Sequence, residues 1–150
     1  MAQHEQFIRQ CIALAISAAK KGNEPFGALL VHGGKVIMTA ENTVTGDNDF
    51  TRHAELNLVV NSQRAFSSDM LQESILYTST APCILCTGAI WFAGISKIVY
   101  SVSYESFVKL VAPEYKYISC KEIFQRLETA AEIVGPILEK EGLGVFQFWK

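Results

Sequence analysis

Positive charge is what this sequence conspicuously lacks. Its 13 Lys and Arg against 15 Asp and Glu leave a net charge of −2, and no basic cluster stands out. That balance gives no electrostatic ground for a nucleic-acid or membrane-surface partner. Long apolar runs are missing too. The richest, Thr87 to Tyr100, is broken by Gly88, Gly94 and Lys97 and is too short to span a bilayer. Met1 to Gln10 is polar, without the apolar core of a secretory leader. Cysteine is scarce: four in 150 residues, two of them as C-x-x-C, too few for a disulfide scaffold. A reducing, cytoplasmic compartment is expected. No repeat, low-complexity stretch or linker divides the chain, so a single domain over 1–150 is expected.

What is present is apolar enough to fold. Apolar residues make up 49% and charged residues 19%, a globular rather than a disordered composition. From His4 to Lys21, Phe7, Ile8, Cys11, Ile12, Leu14, Ala15 and Ile16 recur at helical spacing, with Gly22 as the stop. Cys11 reads as a small buried hydrophobe within that stripe. Gly33-Gly34 between two apolar runs predicts a hairpin with strands at 26–32 and 35–41. Asn42 to Phe50 is polar loop. Thr51 is the N-cap expected for a helix over 52–62. Ser62 to Gln72 connects to a strand at 74–79. A second helix is expected over 82–93 with Pro82 near its first position, and a strand over 97–101. Helices follow at Tyr104–Val111 and Ser119–Leu127. A fifth strand lies within 131–138, pushed to an edge or kink by Gly135-Pro136. A short aromatic helix ends the chain. This alternation of helices and strands predicts an α/β fold, a three-layer α/β/α sandwich on a mixed sheet.

The chemistry sits in two short stretches, His53-Ala54-Glu55 and Pro82-Cys83-Ile84-Leu85-Cys86. Cys83 and Cys86, three apart, are neighbours in the first turn of a helix, where partial positive charge favours thiolate. Such a pair alone fits a redox site or half of a structural zinc site. Cys11 and Cys120 lack partners at ligand spacing, which disfavours a closed four-cysteine site. His53 is then the third ligand, leaving a fourth position open as catalysis by one Zn²⁺ per chain requires. Glu55 is the candidate proton carrier, against the plainer reading of a solvated or capping glutamate. On a regular helix residues i and i+2 face apart. His53 and Glu55 converge only if His53 stands at the first turn, with the metal off the helix end. A carboxylate there can take a proton from water and pass it to a leaving amine.

These residues resemble the cytidine deaminase-like superfamily, whose zinc enzymes carry H-x-E followed by P-C-x-x-C. The purine-type branch, which includes guanine deaminases and tRNA adenosine deaminases, is the most similar. The matching stretches are Pro25-Phe26-Gly27-Ala28, Asn42, His53-Ala54-Glu55 and Pro82-Cys83-x-x-Cys86 with Thr87-Gly88-Ala89-Ile90. The resemblance implies a five-stranded central sheet and a homodimer or larger assembly. It also implies substrate contacts from Phe26, Gly27, Asn42 and the Ala54 amide. Two positions depart from the branch: Ala81 stands where Glu is common before Pro-Cys, and Arg52 where Ala is common before His-Ala-Glu. Arg52 either borders the pocket, favouring a carbonyl or anionic substrate, or lies on the surface. The C-terminal aromatics either pack into a core or interface, or close the site as a lid.

The expected function is therefore hydrolytic deamination of a small free base or nucleoside, guanine-like first, with ammonia as product. Wobble-adenosine editing of tRNA is the alternative enzyme, disfavoured by the acidic balance. A non-catalytic zinc-binding domain of the same fold is the third reading, opposed by the intact Glu55 and the open metal position.

Overall fold

The computed structural model describes residues 2–149. Helix α1 (Ala2–Lys20) leads into a hairpin of β1 (Gly27–His32) and β2 (Lys35–Glu41). Then come α2 (Val44–Asp47), α3 (Ala54–Ala65), α4 (Ser68–Gln72), β3 (Ile75–Thr80), α5 (Ile84–Phe92) and β4 (Lys97–Val102). Helices α6 (Tyr104–Val111) and α7 (Cys120–Arg126), strand β5 (Glu132–Val134), helix α8 (Glu139–Leu143) and a 3₁₀ turn (Gly144–Phe148) complete the order. The sheet runs β2-β1-β3-β4-β5. β1 is antiparallel to both β2 and β3, whereas β3, β4 and β5 are mutually parallel, so the sheet is mixed as expected.

Alternate residues of the central strands feed two cores. Leu29, Val31, Tyr77 and Val99 pack under Phe7, Ile8 and Cys11 of α1 and under Val145 and Phe146. Ala28, Leu30, Leu76 and Ile98 pack under Leu58 of α3, Ile90 of α5 and Phe124 of α7. Strands covered on both faces read as continuous apolar runs rather than alternating ones. Burying a side chain such as Ile8 or Leu30 contributes roughly 1.5–3 kcal/mol.

Several boundaries shift, for local reasons. Helix α3 begins at Ala54 with His53 as its N-cap, not at 52 behind Thr51. Thr51 is committed elsewhere: its hydroxyl and its amide both donate to the Asp49 carboxylate, at 2.6 and 2.9 Å. Helix α5 likewise starts after Cys83, leaving Pro82 outside. The loop after β2 holds the one-turn α2, and the 62–72 connection holds the end of α3 and the Ser67-capped α4. β5 is three residues long, at the sheet edge, and stops before Gly135-Pro136. Segments this short give too few repeats for a period to be read.

The β1–α1 contact depends on Gly27. A Cβ there would stand 2.5 Å from Leu14 Cβ and 2.7 Å from the Ala15 nitrogen and the Cys11 carbonyl oxygen. Backbone cannot yield as a flexible side chain does. Gly27→Ala is expected to destabilise the fold by about 1–3 kcal/mol, measured as a lowered urea midpoint with unchanged slope. An unshifted midpoint would show that α1 can move off β1 without cost.

Candidate metal centre and active-site cavity

Two helices begin at the same point. His53 caps α3 in an extended conformation (φ −65°, ψ 153°), and Cys83 caps α5 similarly (φ −74°, ψ 178°). Both side chains therefore project off helix N-termini rather than along helix faces. Cys86 follows one turn into α5. His53 Nδ1 lies 3.5 Å from Cys83 Sγ and 3.5 Å from Cys86 Sγ, and the ligand atoms of all three residues fall within 4.8 Å of one another. Zinc bonds of about 2.0–2.1 Å to nitrogen and 2.3 Å to sulfur, at tetrahedral angles, put those atoms roughly 3.6 Å apart. The donor set and its spacing fit one zinc ion.

The cap position of His53 also meets the i, i+2 condition. His53 stands outside the helix and Glu55 inside its first turn, so both reach the space beyond the helix end. Glu55 is 6% exposed. Burial, and then the negative charge of Cys83, push its carboxyl up to about 7. A carboxyl near neutrality can both take and give a proton at physiological pH. In the metal-free protein the Cys83 thiol is pulled down to about 4, chiefly by the hydrogen bond from Cys86, with His53 assisting. Cys86 moves well above its ordinary value for the reciprocal reason, with burial adding to it. Zinc needs both sulfurs as thiolates, so its binding releases protons.

His53, Glu55 and Cys83 line one end of a cavity of about 130 Å³. Phe26, Tyr104, Phe107 and Trp149 form its aromatic walls. Trp149 meets Phe26 edge-on at 5.5 Å and lies nearly parallel to Phe107 at 6.4 Å. The C-terminal aromatics thus divide their work. Phe146 packs in the core, and Trp149 borders the cavity. Glu24, Thr80 and Ala81 complete the lining.

Other sequence-expected residues stand behind this surface. Asn42 is fully buried; its Nδ2 donates to Glu24 Oε1 at 3.1 Å and its Oδ1 accepts from the Val44 amide at 3.0 Å. Gly27 turns its hydrogen toward α1, and Ala54 packs in the core beside Leu58. None of the three is among the cavity-lining residues. Arg52 lies on the surface: its Nε bonds Asp49 at 3.2 Å, and it borders a separate polar groove with Lys21 and Glu41. Sequence reasoning missed Glu24 and Thr80. The only signals were adjacency, Glu24 to Pro25-Phe26-Gly27 and Thr80 to Ala81-Pro82-Cys83.

Residues 1–102 match the pattern of the cytidine and deoxycytidylate deaminase zinc-binding region. The chain is 34% identical over 145 residues to a Schizosaccharomyces pombe protein named "probable cytosine deaminase", a match covering 91% of this chain and 86% of that one. It is 35% identical over 102 residues to the guanine deaminase of Bacillus subtilis, covering 67% of this chain and 65% of that one. Among solved structures, one from a study of A-to-I editing by tRNA:A34 deaminases at the wobble position superposes with a TM-score of 0.77 at 26% identity. That superposition covers 93% of this chain and 98% of the other.

The thiol chemistry gives a direct test. After chelation at neutral pH, iodoacetamide is expected to modify Cys83 far faster than Cys11 or Cys120, whose buried thiols are pushed above their ordinary value. Reloading zinc should protect Cys83. Peptide mapping that finds Cys11 labelled as fast as Cys83 would contradict the site as described.

Proposed function

From the premise that this chain belongs to the cytidine and deoxycytidylate deaminase zinc-binding family, we propose that it is a hydrolytic aminohydrolase of a free nucleobase, guanine foremost. The observation that carries this reading is the His53–Cys83–Cys86 triangle opening, beside the buried Glu55, into a small aromatic-walled cavity.

His53, Cys83 and Cys86 would hold the zinc. When bound it supplies a water whose pKa falls from 15.7 toward about 7, a nucleophile at neutral pH. Phe26, Phe107 and Trp149 hold a planar ring by its faces and exclude bulk water. Glu55 takes one proton of the attacking water and gives it to the ring nitrogen, then takes the proton of the new C–OH group and delivers it to the departing amine. One C–O bond forms, one C–N bond breaks, ammonia leaves and a carbonyl remains.

A free base is favoured over an RNA loop by the narrow, aromatic-bordered cavity and by the net charge of −2. Guanine is supported by the Bacillus subtilis relative, 35% identical over 102 residues. Cytosine is the second reading, supported by the longer span of the Schizosaccharomyces pombe match. The proposal extends to a homodimer, because α5 leaves Ile84 60% and Phe92 83% exposed.

A coupled ammonia assay over guanine, guanosine, adenosine, cytosine and cytidine tests the substrate, with salt-dependent binding of a tRNA anticodon stem-loop alongside. Guanine should turn over fastest; cytosine leading, or tight salt-sensitive binding of the stem-loop, would replace this reading. Glu55→Ala should lower kcat by at least roughly 10²–10⁴-fold while keeping one zinc per chain. Full turnover in that variant would remove Glu55 from the mechanism.

A further inference from the structure

Two polar groups in the cavity wall have no task in the reaction just described. Thr80 closes β3 and is 3% exposed, yet its Oγ1 has no hydrogen-bond partner among the described residues. A buried hydroxyl left unpaired is costly and rare. It lines the same cavity as Glu24. The Glu24 carboxylate accepts one hydrogen bond, from Asn42 Nδ2 to Oε1 at 3.1 Å. Among the described residues, its Oε2 has no partner and no Lys or Arg lines the cavity to balance the charge.

The two residues come from opposite directions in sequence. β1 is antiparallel to β3, with Ala28 opposite Thr78 and Gly27 donating to Ser79 Oγ at 3.1 Å. The segment before β1 therefore meets the end of β3. A carboxylate oxygen and a hydroxyl, both unengaged, border an otherwise aromatic enclosure. Asn42, with its oxygen on Val44 and one N–H on Glu24, fixes the carboxylate.

We propose that Glu24 and Thr80 are specificity-determining residues: Glu24 Oε2 accepts a ring N–H of the substrate and the Thr80 hydroxyl hydrogen-bonds the same edge, selecting bases that present an N–H donor there. The inference rests on the free-base reading above and narrows it. A base turning a carbonyl toward Glu24 meets like partial charge. A derivative alkylated at the donating nitrogen, as a nucleoside can be, has no proton to offer. Rejection by unpaired polar groups is the stronger form of discrimination.

Glu24→Gln isolates the group concerned. The amide oxygen keeps the bond to Asn42, while an NH₂ replaces Oε2 and turns a donor toward the substrate's donor. kcat/KM and calorimetric binding to the zinc-loaded protein are measured for guanine, cytosine and their singly N-methylated derivatives. With the preferred base, Glu24→Gln should lower both kcat/KM and affinity roughly 10- to 100-fold. With the methylated derivative lacking the critical N–H, the variant should cost little, because the interaction is already gone. Thr80→Val should raise KM about 5- to 10-fold without lowering Tm, and Thr80→Ser should restore KM.

Equal costs of Glu24→Gln across methylated and unmethylated bases would assign Glu24 a structural role and overturn the proposal. Wild-type KM in Thr80→Val would do the same for Thr80. Binding without ammonia release would refute the proposed reaction but leave this test running on affinities alone. Binding of none of the bases would refute both.

Discussion

The site depends on two helix N-termini aimed at one point. α3 and α5 each begin with a metal-binding side chain at the cap, His53 on one and Cys83 on the other. The unpaired amides and aligned peptide dipoles of a first turn favour negative charge. Both thiols and the Glu55 carboxyl stand at or within the first turns of these helices. The arrangement also supplies the geometry. A cap residue has extended backbone, so its side chain leaves the helix axis, and residues two apart in sequence can face one centre.

The sheet holds those helix starts in place. Both helices lie on the same face, with Ala54, Leu58 and Ile90 packed over Ala28, Leu30, Leu76 and Ile98. On the other face, α1 sits so close to β1 that only glycine fits at position 27. The aromatic walls are anchored from that second core: Phe26 meets Phe107 at 5.7 Å and Phe146 at 5.9 Å. Metal ligation thus belongs to one layer and most of the aromatic lining to the other, with the sheet end between them.

Much of this was legible in the residues. The hairpin at Gly33-Gly34, the three-layer order and the ligand triad follow from turn chemistry, periodicity and spacing, all short-range signals. The cap positions were not, because Thr51 is the better isolated cap, and only the competing Asp49 carboxylate removes it from that role. Arg52 was undecided for a similar reason, its direction being set by Asp49. Glu24 and Thr80 were invisible individually. A glutamate before proline reads as loop, and Thr80, just past the strand expected at 74–79, reads as the lead-in to the helix at Pro82. Their meaning arises from pairing between strands some fifty positions apart, for which a single sequence has no local marker. In sequence the C-terminal aromatics are open between packing and a lid, and the contacts of Trp149 with Phe26 and Phe107 place it in the cavity wall.

The direction of β1 has a consequence beyond the topology. Were that strand parallel to β3, the loop carrying Glu24 and Phe26 would emerge at the opposite end of the sheet. Six residues at about 3.3 Å each put that end roughly 20 Å away. Running backwards, β1 delivers Glu24 and Phe26 beside the helix starts that bear His53 and Cys83. On the proposal above, that loop can be randomised in a library while the two helices stay unaltered. Choice of substrate and conduct of the reaction would then be held by separate parts of the fold.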